Sequence, residues 1–332
     1  MRRVLRFTPF LLLLSLSLLT ATAQEETGTA VQIIQGRTET TCKHPGIRRI
    51  RTYDVSSAEI PRAFEGFRIL FFADTHYTSL FTTTTLESLG RVIQEIAPDA
   101  MFLGGDYQEG CEYVEPLFST IMSNPPQYGT YAVLGNNDLE RCTDTIKSVM
   151  NFYNVALVED TAVQIHKNGS HITVAGAINT YQKVETAPSP TLKLDPHEFV
   201  FLLTHTPDYA EDQDITNADL VLAGHTHGGQ VTLFGAFAPV TSSHYGQRFL
   251  KGLNYNSARQ AVITTTGIGT SRRAVRLFAP SEVVLITLHS WSHGEKLPEP
   301  AIALDTKPMI SKPLQIKQET LHQDTLSKPQ NL

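Results

Sequence analysis

The sequence predicts an α/β fold that becomes mainly β in its second half. Short apolar runs of strand length alternate with amphipathic helical segments through the first part of the chain. Further apolar runs follow with little helical periodicity between them. Polar residues and glycines directly follow most of these runs, at the position where α/β sheets bind ligands.

The first half carries three predicted strands separated by two predicted helices. In chain order these are a strand at 67–72, a helix at 82–96, a strand at 100–103, a helix at 113–122 and a strand at 128–134. Leu86, Leu89 and Ile93 have the spacing of one helical face, and Pro98 ends that helix. Strands and helices in this close alternation predict an α/β sheet.

The second half is read mainly as strands. A hairpin is predicted at 162–175, because Asn168-Gly169 is a favoured two-residue turn between two alternating segments. Four more strands are predicted at 198–203, 218–222, 261–266 and 283–288.

The first 23 of the 332 residues have the layout of a secretory signal peptide. Arg2 and Arg3 lie in a basic stretch, an apolar run covers 10–19, and Ala21-Thr22-Ala23 is a small-residue cleavage site. We therefore expect export to the periplasm or the extracellular space after cleavage behind Ala23. Retention of the segment as an N-terminal membrane anchor is the alternative, and the sequence leaves it open.

The remaining chain divides by composition into three parts. Residues 24–65 are a polar N-terminal lead with one edge strand at 47–55, residues 66–290 are the predicted folded domain, and 291–332 are predicted to be disordered. A formal charge of −6 gives no reason to expect nucleic-acid binding, and three cysteines are too few for a disulfide scaffold. The oligomeric state is not indicated.

Seven side chains with metal-ligand chemistry follow the predicted strands. They are Asp74, His76, Asp106, Asn136, His205, His225 and His227. Two of them, His225 and His227, are separated by one residue and leave an extended segment on the same side, as do Asp74 and His76. Carboxylate, imidazole and amide ligands favour Mn, Fe or Zn. Seven ligands exceed the need of one ion, so we expect two divalent ions that share Asp106.

Such a pair of ions, about 3.5–4 Å apart, is suited to in-line displacement at phosphorus. The ions would hold the phosphate oxygens and activate a bridging hydroxide for attack. The sequence therefore predicts a metal-dependent phosphoester hydrolase, a phosphatase or phosphodiesterase acting on a phosphorylated small molecule.

The order Asp-x-His, Gly-Asp, Gly-Asn-x-Asp, His and Gly-His-x-His resembles the calcineurin-like metallophosphoesterase superfamily. Residues 224–230, Gly-His-Thr-His-Gly-Gly-Gln, resemble its exported or membrane-associated bacterial branch, where some relatives cleave lipid-linked or nucleotide-sugar pyrophosphates. The resemblance implies two facing sheets flanked by helices, in four αββα layers. It also makes pyrophosphatase activity and membrane association alternatives to be tested.

The resemblance further implies a role for each ligand. Asp74, His76 and His227 would hold one ion, and Asn136, His205 and His225 the other, with Asp106 between them. It also implies that His244 and Arg276 contact the substrate.

Asn137 stands where the family usually has a histidine that acts near the leaving group, beside Asp138. Both residues are therefore candidate catalytic residues. An amide donates a hydrogen bond but supplies no proton at neutral pH, so we expect a preference for good leaving groups. A metal-binding protein without hydrolytic activity is the remaining alternative. Whether Cys111 and Cys142 pair in an oxidising compartment is left open.

Overall fold

The computed structural model describes residues 31–36, 39–40, 44–78, 83–178 and 188–291. The predicted signal peptide and all of the predicted disordered tail except Trp291 lie outside the described residues. Within the described part of the chain, no helix combines the length and the apolar character needed to cross a membrane.

The described strands alternate with helices in the first half and follow one another more closely in the second. The strands are β1 (Gln32–Gln35), β2 (Glu39–Thr40), β3 (Arg49–Ser57), β4 (Arg68–Phe72), β5 (Ala100–Leu103), β6 (Thr130–Ala132), β7 (Val155–Leu157), β8 (Thr161–Lys167), β9 (Ser170–Gly176), β10 (Val200–Leu203), β11 (Leu220–Ala223), β12 (Gly252–Tyr255), β13 (Ala261–Thr264) and β14 (Glu282–Ser290). The α-helices are α1 (Thr83–Ile96), α2 (Val114–Ile121), α3 (Asn136–Glu140), α4 (Thr143–Phe152) and α5 (Tyr209–Asp212).

The first sheet has the strand order β1-β3-β14-β4-β5-β6-β7, with β2 paired to β3. The four strands β4, β5, β6 and β7 are parallel, so their C-terminal ends share one edge of the sheet. The last strand, β14, lies inside the sheet, antiparallel to β4 and parallel to β3.

The second sheet has the order β12-β13-β11-β10-β9-β8. Its four inner strands β9, β10, β11 and β13 are parallel, and β8 and β12 are antiparallel strands at the two edges. The predicted hairpin is confirmed as β8 and β9, which pair through Lys167 and Ser170 around the turn.

Apolar side chains of the two sheets pack face to face in a shared core. Phe71 and Phe102 of the first sheet and Phe201 and Leu222 of the second are fully buried there, and the rings of Phe102 and Phe201 are 5.3 Å apart. Helices α1, α2 and α4 cover the other face of the first sheet, and α5 with short helical turns covers that of the second. The predicted four-layer arrangement of two sheets between helices is confirmed.

The expected edge strand at 47–55 is wrong in one respect, because β3 lies inside the first sheet. It pairs with β14 on one side and with β1 and β2 on the other. Its Arg51 side chain has its partner inside the protein. Arg51 Nε and Nη2 donate to Glu282 Oε2 at 3.2 and 3.1 Å, while Tyr53 and Val55 face the core.

Candidate metal centre

The seven predicted ligands come together where strand ends of both sheets meet. Asp74 and His76 follow β4, Asp106 follows β5, Asn136 follows β6, His205 follows β10, and His225 and His227 follow β11. Within each sheet these strands are parallel, so their C-terminal ends share one edge, and ligands from both edges group together at the site.

Asp74, His76 and His227 form the first of two buried groups, whose ligand atoms all lie within 4.8 Å of one another. His76 Nε2 and His227 Nε2 are 3.1 Å apart, and His227 Nε2 is 3.6 Å from Asp74 Oδ1. Ring nitrogens this close, both facing a carboxylate oxygen, have the arrangement expected of ligands to one cation.

Asp106, His205 and His225 form the second group. His205 Nε2 lies 3.1 Å from His225 Nδ1 and 3.3 Å from Asp106 Oδ2. The same Asp106 oxygen is 3.4 Å from His76 Nε2 of the first group. One carboxylate oxygen therefore lies between the two groups, at the position that a shared ligand requires.

Asn136 supplies the independent test of whether these residues fit a second ion. Its side-chain nitrogen donates to Asn137 Oδ1 at 2.9 Å. Its side-chain oxygen is buried and has no hydrogen-bond partner among the residues that the structure describes. A buried amide oxygen without a donor is costly, and a cation satisfies it. The donor set of carboxylate, imidazole and amide therefore fits two transition-metal ions.

Two of the histidines are oriented by acceptors on their far ring nitrogens. His205 Nδ1 lies 2.7 Å from the carbonyl oxygen of Gly104, so it donates and leaves Nε2 free to face the site. His76 Nδ1 lies 2.5 Å from Glu109 Oε1. Such partners fix the imidazole tautomer and make the inward nitrogen more basic. Glu109 was not identified from the sequence, and its only signal there is its position three residues after Asp106.

The backbone at the site is held in the left-handed region. Five of the six residues of the two groups have positive φ, namely Asp74 (53°), His76 (39°), Asp106 (55°), His225 (69°) and His227 (52°). This conformation is unfavourable for non-glycine residues and persists where the surroundings impose it, often at functional sites. A Cβ at Gly224 would lie 2.5 Å from Asp74 Oδ2, so only glycine allows this approach.

The burial of these groups shifts their pKa values in opposite directions. Burial raises the pKa of Asp74 to about 6 and lowers that of His225 to about 3. Burial also disfavours the charged form of His205, but the Asp106 carboxylate outweighs it and raises the pKa of His205 to about 9. Ionisable groups packed this closely cannot all hold their usual charge, which is typical of sites built for a cation.

Asp138, a candidate catalytic residue, is fully buried behind the ligands. Its carboxylate accepts hydrogen bonds from the backbone N–H of Asp106 (2.7 Å), Tyr107 (2.9 Å) and Gly135 (2.8 Å). Burial, followed by the nearby Asp106 charge, raises the pKa of Asp138 to about 7. The structure thus makes Asp138 a positioning residue that holds the loops of Asp106 and Asn136 together.

Asn137 lies at the wall of the site and is partly buried. Its backbone N–H donates to Asp106 Oδ1 at 2.9 Å. Its side-chain nitrogen lies 2.9 Å from Glu109 Oε1 and 3.2 Å from His76 Nδ1. The residue at the usual histidine position is therefore connected to the ligands and borders the space where a substrate would bind.

Neither of the two predicted substrate contacts, Arg276 and His244, faces the cleft with a free polar group. The five N–H donors of Arg276 face backbone carbonyl oxygens of Gly269, His227, Ala279 and Thr266, which leaves none for a phosphate. Arg276 therefore stabilises the loop behind His227. His244 is half-exposed beside Asp208 and does not line the cleft over the two groups, which includes Ser242.

A cleft of about 780 Å³ opens over the two metal-ligand groups. Its lining includes Asp106, Asn136, Asn137 and His225. Three arginines, Arg141, Arg272 and Arg273, line it as well. One guanidinium group can bind two phosphate oxygens through two parallel hydrogen bonds. These three residues, rather than Arg276, are therefore placed to receive a phosphate.

A disulfide connects two loops of the site. Cys111 and Cys142 are bonded, with their Cα atoms 5.4 Å apart. Cys111 follows the loop that carries Asp106 and Glu109, and Cys142 follows the short helix α3 that begins at Asn136. The bond thereby braces the rim on which ligands of both groups lie.

Comparison with known proteins gives a family and several relatives. The family model for the calcineurin-like phosphoesterases matches residues 67–229, a range that includes all seven ligands. Phosphodiesterase YaeI of Escherichia coli is 30% identical over 230 residues, which cover 67% of this chain and 82% of that protein.

Two further relatives carry the name metallophosphoesterase. The protein named uncharacterized metallophosphoesterase YkuE of Bacillus subtilis is 28% identical over 247 residues, covering 72% of this chain and 84% of that protein. A metallophosphoesterase of Aquifex aeolicus is 27% identical over 250 residues, covering 72% of this chain and 91% of that protein.

Proposed function

This chain belongs to the calcineurin-like phosphoesterase family, and from that premise we propose that it hydrolyses phosphoester bonds at a centre of two divalent ions. The single observation that carries the proposal is the place of Asp106 Oδ2, 3.4 Å from His76 Nε2 and 3.3 Å from His205 Nε2. A carboxylate oxygen shared by two groups of buried ligands is the feature that a dinuclear centre needs and a mononuclear site does not.

Three residues would hold each ion around the shared Asp106. Asp74, His76 and His227 would bind the first, and Asn136, His205 and His225 the second. Mn, Fe and Zn all suit this donor set. When bound, such a pair supplies positive charge for the phosphate and lowers the pKa of a water molecule, which then serves as the nucleophile.

The chain's own residues bind and orient the substrate. Arg141, Arg272 and Arg273 border the cleft, where they hold phosphate oxygens by charge-assisted hydrogen bonds. Asn137 donates hydrogen bonds but carries no proton that it can release to a leaving group near pH 7. We therefore propose substrates with good leaving groups, such as aryl esters or phosphoanhydrides. The relative named phosphodiesterase supports phosphodiesters as a substrate class.

A substrate panel with defined metals tests the proposal. The purified protein is stripped of metal, reloaded with Mn, Zn or Fe, and assayed on bis-p-nitrophenyl phosphate and p-nitrophenyl phosphate, with bound metal counted by mass spectrometry. We expect about two ions per chain and metal-dependent turnover that Asp106→Asn abolishes. Asp144→Asn, an exposed residue in α4, is the matched control and should turn over normally. Two bound ions without turnover of any substrate would instead support the non-catalytic metal-binding protein.

The leaving-group preference has its own test. Without a general acid, rates on alkyl phosphates should fall below those on aryl phosphates by on the order of 10²–10⁴. Asn137→His should narrow that difference if the position acts near the leaving group. Equal rates on alkyl and aryl esters in the wild-type protein would contradict the proposed preference.

We also propose that the protein is exported. The signal-peptide layout of residues 1–23 supports this, and so does the Cys111–Cys142 disulfide, since such bonds persist in oxidising compartments. Cell fractionation and sequencing of the mature N-terminus test the proposal. A chain found only in the reducing cytoplasm, with both thiols free, would contradict it, and an intact N-terminus in the membrane fraction would indicate the anchor instead.

A further inference from the structure

Large apolar side chains are exposed on one face beside the cleft. We call the surface formed by segments 231–240 and 275–278 the apolar face. Eight of the twelve large apolar residues that are exposed in the described chain belong to it. Phe234 is 88% exposed, and Leu233, Phe237 and Phe278 are each at least half exposed. The surface of a soluble monomeric protein seldom has so many large apolar side chains in one patch unless the patch binds a protein, a ligand or a membrane.

The two segments form one continuous surface. Thr232 N donates to the Leu277 carbonyl oxygen at 2.9 Å, and Leu277 N donates to the Gln230 carbonyl oxygen at 2.9 Å. A bond of 2.7 Å from Leu233 N to the Phe237 carbonyl oxygen closes the turn that presents Phe234. The rings of Phe234 and Phe278 are 5.9 Å apart at its tip.

The apolar face is also the rim of the metal-site cleft. Val231, Val240 and Val275 belong to the face and line the cleft together with His225 and His227. A partner bound to the face would therefore lie directly beside the position of the reacting phosphate.

The charge of this region is opposite to that of the whole chain. From Leu220 to Ser281 the sequence has six lysines and arginines and neither an aspartate nor a glutamate, although the chain carries a formal charge of −6. Arg272 and Arg273 border both the face and the cleft, and Lys251 Nζ donates to the Gly235 carbonyl oxygen behind the turn. Cationic side chains thus border the apolar face, while the carboxylates of Glu109 and Glu140, which come from an earlier part of the chain, also line the cleft.

From these observations we infer that the apolar face docks on an anionic lipid surface. The rings of Phe234 and Phe278 enter the boundary between headgroups and acyl chains, and the arginines bind lipid phosphates. A second copy of this chain is a poor occupant, because pairing of like faces would bring two cationic regions together. The docked orientation points the cleft at headgroup phosphates. That last step rests on the proposed function and names lipid-borne phosphoesters or phosphoanhydrides as its substrate class.

Co-sedimentation of the full chain with lipid vesicles tests the docking without any need for catalysis. The vesicles are phosphatidylcholine alone or with about one third phosphatidylglycerol. The test variant is Phe234→Asn with Phe278→Asn, chosen because both residues have positive φ (53° and 54°), which asparagine tolerates. The matched control is Phe152→Asn, whose ring is 76% exposed in α4. All proteins share one N-terminus, so differences between them belong to the substituted positions.

We expect the wild-type protein to bind the anionic vesicles more tightly than the neutral ones, and less tightly at high salt. The double variant should show a vesicle–water partition coefficient that is lower by about tenfold or more, because it lacks the two aromatic rings that move from water into the lipid. Phe152→Asn should bind as the wild type does. Thermal unfolding confirms that each variant is folded. Equal vesicle binding by the wild type and the double variant, or none by the wild type, would overturn the inference.

Two further measurements separate this inference from the proposed function. Asp106→Asn should bind vesicles like the wild type, and the double variant should hydrolyse soluble bis-p-nitrophenyl phosphate at the wild-type rate. The double variant can thus lose vesicle binding and keep hydrolysis, whereas Asp106→Asn can lose hydrolysis and keep vesicle binding. If gel filtration shows concentration-dependent dimers that the double variant abolishes, and vesicles are not bound, the face is a self-association surface and the lipid inference is wrong.

Discussion

The Glu109→Gln variant should weaken one metal site of the protein more than the other. Glu109 Oε1 lies 2.5 Å from His76 Nδ1 and also accepts from Asn137 at 2.9 Å. Burial lowers the pKa of His76, but the hydrogen bond to Glu109 and the charges of Asp106, Asp74 and Glu109 together outweigh it, and the net shift of that pKa is upward. Glutamine has the same shape and can still accept a hydrogen bond, but it removes the negative charge that makes the imidazole a stronger ligand.

The size of the effect follows from the position of Glu109. Loss of such an outer partner typically costs 10- to 100-fold in metal affinity, about 1.4–2.7 kcal/mol. The Glu109 side chain is 32% exposed, so solvent screens part of its charge and we expect a loss of about tenfold. Stability without metal should change by less than about 1 kcal/mol, as for other solvent-accessible ion pairs.

Titration of the metal-free protein with Zn²⁺ against a competing chelator measures both sites. The matched control is Glu112→Gln, an exposed glutamate on the same loop. One site should weaken about tenfold in Glu109→Gln, and neither should weaken in the control. Affinities within twofold of the wild type, or equal losses in both variants, would refute the role assigned to Glu109.

Three further predictions follow from other contacts. Asp138→Ala leaves three buried N–H donors without their acceptor, so urea unfolding should show a loss of about 3 kcal/mol. Burial lowers the pKa of His289, but the carboxylates of Glu65 and Asp54, which contact its two ring nitrogens, together outweigh burial and the net shift is upward. The contact of His289 with these carboxylates therefore stabilises the fold fully below about pH 6.5, and this stabilisation is lost as pH rises through the higher folded pKa. In urea unfolding, His289→Gln should lower the free energy of unfolding by less than about 1 kcal/mol at pH 6 and leave it unchanged at pH 9. Cys142→Ser, which breaks the bond to Cys111, should cost about 3 kcal/mol, measured by thermal unfolding with and without reductant.

For each of these three predictions, one result would contradict the reasoning. An Asp138→Ala loss under 1 kcal/mol would mean that water replaces the carboxylate. A His289→Gln effect that grows with pH would reverse the assigned sign. Reductant that lowers the melting temperature of Cys142→Ser as much as that of the wild type would show that another thiol pair is responsible.

The metal ligands were accessible from the sequence because the signals are local. Each ligand follows an apolar run, and the rule that parallel strands of a sheet end at one edge then brings Asp74, Asp106 and Asn136 together. The structure shows why Glu109 and Asp138 were harder to interpret. The contact of Glu109 with His76 depends on the backbone path of a loop, and the three donors to Asp138 are backbone groups that carry no sequence signal.

Arg276 and β3 show the opposite error, in which a local pattern was read too simply. An arginine near a phosphate site suggests a substrate contact, but four carbonyl oxygens around Arg276 already take its five donors. The mixed, polar composition around β3 suggests an edge strand, but Arg51 is paired with Glu282, more than 200 residues away. Long-range partners of polar residues cannot be read from one sequence without its fold.

The place of β14 determines when the first sheet can be completed. This last strand separates β3 from β4 and pairs with both, over nine residues in the case of β3. The ribosome must therefore release residue 290 before β3, near the start of the chain, can be joined through β14 to β4. A chain that ends before Glu282 has two half-sheets with open edges. Such a chain stays unfolded enough to pass through a membrane channel and is open to proteases, and only the last strand ends this state.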